Sequence, residues 1–174
     1  MVTKLLISSI LFNLFPLIGF SQNSDSLFFD SVFVRDVCID RIYLGDSKNV
    51  LFQTFWEPNL YEERVSEYDG TKFFICTYDN KASFLLDENE KIFAIEYLMI
   101  KNIEIKIQNS SFFIGDSLKN IAKIFPNSYK KYLSMNSNII YLIGIEPDGV
   151  RAGINFQIII KENKVYSFSS NIEE

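Results

Sequence analysis

Apolar and polar positions alternate along most of this 174-residue chain, and a period of two marks strands with one face turned to a core. Leu27 to Tyr43, rich in Val, Ile and Phe, predicts one or two extended segments. Lys72 to Tyr78, Ala82 to Asp87 and Ile92 to Met99 are three further β-rich runs, joined by Asp79-Asn80 and by Asp87 to Glu90. Short polar joints between such runs are hairpin chemistry, so the three predict an antiparallel meander. Ile139 to Ile145, Ile154 to Lys161 and Lys164 to Ser169 predict a second meander, with joints at Glu146 to Gly153 and Glu162-Asn163. Ile103 to Ile107 also reads as extended. The polar segments Tyr61 to Gly70 and Asn109 to Ser111 read as connections, and Tyr129 to Asn138 as a loop or a second helical turn.

The two meanders differ in their faces. Ile154, Phe156, Ile158 and Ile160 alternate with Asn155, Gln157, Ile159 and Lys161, which predicts one core face and one mostly wet face. In the first meander Phe73, Ile75 and Thr77 alternate with Phe74, Cys76 and Tyr78, so both faces carry apolar bulk. Such a sheet needs cover on both sides, from the Leu27 to Ile39 segment, from the neighbouring unit, or from a partner.

The tripeptide Gly-Asp-Ser stands before each predicted helix, at Gly45-Asp46-Ser47 and Gly115-Asp116-Ser117, 70 positions apart (115 − 45). Asp46 or Ser47 is placed to cap a helix running to about Trp56, and Asp116 or Ser117 one from about Leu118 to Phe125. Pro58 closes the first helix and Pro126-Asn127 the second. Repetition of this order predicts an α+β fold of two tandem helix-plus-antiparallel-meander units, 22–100 and 101–174, with helices packed on one sheet face. No Pro/Ser-rich linker separates them, so 22–174 reads as one compact domain.

The segment Gly45-Asp46-Ser47-Lys48, followed by Leu51, Phe55 and Pro58, resembles the Gly-x-Thr/Ser-x-x-x-Val-x-x-x-Leu-Gly-x-Pro signature of the SmpA/OmlA outer-membrane assembly lipoproteins. The β-lactamase-inhibitor proteins, tandem copies of a similar helix-plus-sheet unit, are related to that family in fold. Trp56 stands where the family has glycine. The second copy keeps Gly115, Ser117, Ile121 and Phe125 but has Ser128 at the proline position, and no lipid-attachment cysteine follows the leader. The resemblance covers about fourteen residues per unit and implies an exported scaffold that binds proteins through its sheet face and loops.

Lys4 followed by the apolar run Leu5 to Phe20, ending in Gly19-Phe20-Ser21, predicts a signal peptide over 1–21 with cleavage after Ser21. The run falls short of the ~20 residues a spanning helix needs, and Asn13 and Pro16 interrupt it, so no transmembrane segment is expected in the mature chain. Export places the protein in the periplasm or outside the cell. A formal net charge of −5 without a basic cluster argues against nucleic acid. Cys38 and Cys76 form either a disulfide, which export permits, or two buried thiols.

Chemistry for catalysis is sparse. Histidine is absent, which removes Ser-His-Asp, Cys-His and His-zinc arrangements, and two cysteines make no thiolate cage. Asp46 and Asp116 are the acid pair that symmetry suggests, but a helix N-terminus already explains both. No metal or cofactor is expected. Aromatic side chains interspersed with charge from Trp56 to Tyr68, together with the first meander, make Trp56, Tyr61, Tyr68, Phe74 and Tyr78 the candidate partner contacts. The expectation is an exported, non-catalytic protein-binding module of the bacterial envelope or medium. The alternative is a small-ligand or envelope-lipid binder using the aromatic-rich first sheet.

Overall fold

A computed structural model describes residues 28–172; the predicted signal peptide, 1–21, lies outside them. Strands β1 (Asp30–Phe33), β2 (Val37–Ile39) and β3 (Ile42–Tyr43) lead to helix α1 (Lys48–Phe55). Four strands follow as β4 (Leu60–Val65), β5 (Lys72–Tyr78), β6 (Ala82–Leu86) and β7 (Ile92–Leu98). The hairpin β8 (Glu104–Ile107) and β9 (Ser110–Phe113) then precedes helices α2 (Leu118–Ile124) and α3 (Pro126–Met135). The meander β10 (Ile139–Ile145), β11 (Arg151–Lys161) and β12 (Lys164–Ile172) completes the chain.

These elements do not form the expected α+β pair of helix-plus-meander units. Half of the structure is strand and 19% helix, so the protein is mostly β. An eight-stranded mixed sheet runs β1-β10-β11-β12-β7-β6-β5-β4, and a four-stranded sheet runs β3-β2-β8-β9. Both halves of the chain contribute to both sheets. Helices of 8, 7 and 10 residues are too short to cover the large sheet alone. Two hairpins therefore join in antiparallel register (Cys38 opposite Lys106) and share that task. Phe112 of the small sheet meets Phe168 of the large one at 6.0 Å and Phe125 at 6.3 Å. Leu51 and Phe55 of α1 and Ile121 of α2 complete a single core beneath the same sheet face.

The Gly-Asp-Ser segments are built alike, but not as side-chain caps. Ser47 and Ser117 occupy the N-cap positions without a side-chain bond to the helix. Asp46 Oδ2 instead accepts the Tyr43 N–H (2.8 Å), and Asp116 Oδ2 the Phe113 N–H (3.1 Å). Each carboxylate thus closes the turn before it. That turn needs φ of +93° at Gly45 and +103° at Gly115, where a side chain would be strained. The opening N–H groups of the helices are satisfied across the fold: Lys48 donates to the Glu90 carbonyl and Leu118 to the Asn163 carbonyl, each at 2.8 Å. Hairpin tips, rather than serine or aspartate oxygens, cap α1 and α2.

The meanders meet at β7 and β12, where Phe168 opposite Leu98 is the one registered pair. Beyond it the Ser170 hydroxyl accepts the Ile95 N–H at 2.7 Å and donates to the Ile95 carbonyl at 3.4 Å, both buried. One side chain replaces a rung of the ladder. Truncation would leave a buried donor and acceptor unpaired, so Ser170→Ala is expected to cost about 1–3 kcal/mol in urea unfolding. A loss of only a few tenths would show that the seam does not depend on this hydroxyl.

Candidate functional site

The face of the large sheet away from the small sheet and helices carries Phe73, Ile75, Leu85, Phe93, Gln157 and Ile159, all only partly buried. At one end of this face a groove of about 1040 Å³ opens over Phe73, Leu85, Phe93 and Ala94. Glu96, Gln157, Ser169 and Asn171 give it a polar floor toward β11 and β12. Its rims are the β4–β5 connection, with Tyr68 and Asp69, and the β6–β7 turn, with Asp87, Glu88 and Asn89. Irregular register between β6 and β7 reaims side chains here: Leu85 stands opposite Ala94, while Phe93 falls in the slip between Leu85 and Leu86.

The first rim is rigidly tied. Ser66 N–H bonds the Thr71 carbonyl (2.9 Å), Gly70 N–H the Ser66 carbonyl (3.0 Å), and Thr71 N–H the Asp69 carboxylate (3.0 Å). The Thr71 backbone N–H, then the Ser66 and Thr71 hydroxyls, hold the Asp69 carboxyl down to about 2. Tyr68 projects from this turn with 99% of its surface exposed.

Of the five residues singled out from the sequence, Tyr68 alone lines the groove. Tyr61 and Phe74 meet on the other side of the sheet, stacked at 5.3 Å and 3°. There Lys48 lies 5.0 Å over the Tyr61 ring, and the Tyr61 hydroxyl donates to Glu90 at 2.7 Å. Glu90 also takes an ion pair from Lys48, and these two partners hold its carboxyl below the usual range. Burial, then Glu90, pushes the Tyr61 hydroxyl up. Tyr78 is a core ring against Phe55 (5.6 Å) and Phe84 (6.1 Å), and its hydroxyl is buried without a partner. Leu85, Phe93 and Gln157 were not singled out. For Leu85 and Phe93 the signal was the apolar alternation on both faces of the first meander, which says a face needs cover but not which face stays open; Gln157 stood on the wet face of the second meander.

Cys38 and Cys76 are free and buried, one in each sheet. Burial pushes the Cys76 thiol up to about 12, which leaves it a small hydrophobe rather than a nucleophile. Among the described residues no three Cys, Asp or Glu side chains gather as a metal cage. No helix there is long and apolar enough to cross a membrane.

Trp56 stands apart. It ends α1 at φ 62°, ψ −167°, a region that only glycine enters freely, and 79% of its surface is exposed. The conformation costs roughly 1–3 kcal/mol and the exposed ring recovers little of it.

Two measurements follow from these residues. Trp56→Gly is expected to raise unfolding stability by about 1 kcal/mol, the strain relieved less the greater freedom of glycine in the unfolded chain; a loss of stability would mean the indole is a packing element. Because the folded Asp69 carboxyl is depressed, its contribution is present above the ordinary aspartate range near ~4 and fades as pH falls toward 2. Urea titrations should show a stability gap between parent and Asp69→Asn that is constant from pH 7 to about 5 and closes below ~4; a gap that persists at pH 2 would contradict this. Comparisons with protein-family models, curated proteins and solved structures returned no match, so the likeness to the SmpA/OmlA proteins rests on the motif residues alone.

Proposed function

We propose that this chain is an exported, non-catalytic binding module that takes another protein on the open face of its eight-stranded sheet. The observation that carries the reading is the groove: an apolar floor of Phe73, Leu85 and Phe93 left partly open beside a rigid, acidic rim. Apolar centres with polar rims are the anatomy of protein interfaces. Asp69, Asp87, Glu88 and Glu96 outnumber Lys72 around it, so the partner presents an apolar patch edged with Lys or Arg. Both thiols are buried and the sequence has no histidine to serve as a general base, which supports binding rather than turnover. Export rests on the leader-like pattern of residues 1–21.

The test compares two baits of the mature chain, the parent and Leu85→Arg, in native envelope and culture medium. Leu85 is only partly buried on the open face, so the arginine is expected to leave the fold intact and to reduce recovery of the captured protein at least tenfold. Equal recovery on both baits, or a small molecule released from the groove in native mass spectrometry, would overturn the assignment.

A further inference from the structure

The open face ends at β4, and that strand differs from every other sheet edge in the molecule. The β1 edge is four residues long and is held by α3: Asp30 N–H bonds the Ser128 hydroxyl and Ser128 N–H the Asp30 carboxylate, each at 2.8 Å. In the small sheet, edge strands β3 and β9 have two and four residues. The β4 edge runs for six, and every side chain but that of Glu62 is exposed.

The direction of its amides follows from the register. Ser66 N–H bonds the Thr71 carbonyl, and Arg64 and Glu62 stand opposite Phe73 and Ile75. Bonded pairs alternate along an antiparallel ladder, so Arg64 and Glu62 bond β5 while Tyr61, Glu63 and Val65 turn their N–H and C=O groups outward. Three residues thus offer a free hydrogen-bonding edge about 13 Å long, at ~3.3 Å per residue.

Charge selects what can lie there. Arg64 is bound to Glu62 and Lys72 to Glu63, each at 2.9 Å. Glu57, Glu67 and Asp69 flank the strand and form no ion pair among the described residues. Five carboxylates against two cations make the edge strongly negative. A second copy would bring the same excess against itself, and like charges across a strand pair repel. We infer that β4 receives an extended segment of a partner protein as a ninth strand, with Lys or Arg on the face of Glu62 and apolar residues on the face of Tyr61 and Val65. The inference rests on the protein-binding reading above and names the kind of partner segment.

Two acetylated octapeptides, Lys and Val in strict alternation and Glu and Val in strict alternation, test it on the mature chain. The lysine peptide is expected to slow amide exchange at Tyr61, Glu63 and Val65 at least tenfold, leaving Glu62 and Arg64 unchanged, and the glutamate peptide to do nothing. Proline is tolerated at an edge position whose N–H faces solvent, so Glu63→Pro should melt where the parent does yet bind the lysine peptide at least tenfold more weakly. Leu85→Arg should leave peptide binding intact. Protection absent from β4, equal effects of both peptides, binding undiminished in a folded Glu63→Pro variant, or concentration-dependent protection of β4 without peptide would each overturn the inference. The exchange measurement on the parent chain decides the matter if Glu63→Pro does not fold. Loss of peptide binding in Leu85→Arg but not in Glu63→Pro would move the partner to the groove, sinking the added strand while sparing the protein-binding reading.

Discussion

A serine hydroxyl stands at the middle of this protein. The large sheet is continuous only because β7 and β12 meet, and they meet through one registered residue pair and the Ser170 bonds to Ile95. Backbone ladders normally carry such a junction, and a side-chain substitute must satisfy both a buried donor and a buried acceptor to be tolerated. Because it does, the two meanders present one uninterrupted face, and the groove floor can draw Leu85 and Phe93 from one side of the junction and Gln157 and Ser169 from the other. Without the junction the halves would carry separate sheet edges, and there would be no shared surface.

Local chemistry made much of this visible beforehand. β5 and β10 end where alternation and turn residues predict, and α1 spans Lys48–Phe55 between the Gly-Asp-Ser turn and Pro58. Two strands were hidden. β4 reads as a polar connection because its side chains are nearly all in water, and an exposed edge gives no apolar alternation to detect. β9 begins with Ser110-Ser111, so its first half looks like a break. Pro126 stops α2 as expected, yet it also starts α3, where a missing N–H is harmless.

The larger error was architectural. A repeated turn-helix pattern suggested that helices would form the second layer. Burial decides this instead. The short apolar strands β2, β3, β8 and β9 pair with one another and take the place between α1 and α2, a long-range arrangement that no local window encodes. The site suffered from the same gap. Aromatic residues were rightly noticed, but whether a ring faces outward, like Tyr68, or inward, like Tyr78, depends on which side of the sheet the small sheet covers.

The tie between Asp30 and Ser128 joins the beginning of the described chain to α3, and β1 lies parallel to β10, more than a hundred positions later. Strand β1 must therefore wait for α3 and β10 to be made before it can settle. Contacts of such sequence separation slow folding, because a large loop has to close before any reward is gained. Strand β1 therefore stays without its sheet neighbour until β10 has been made.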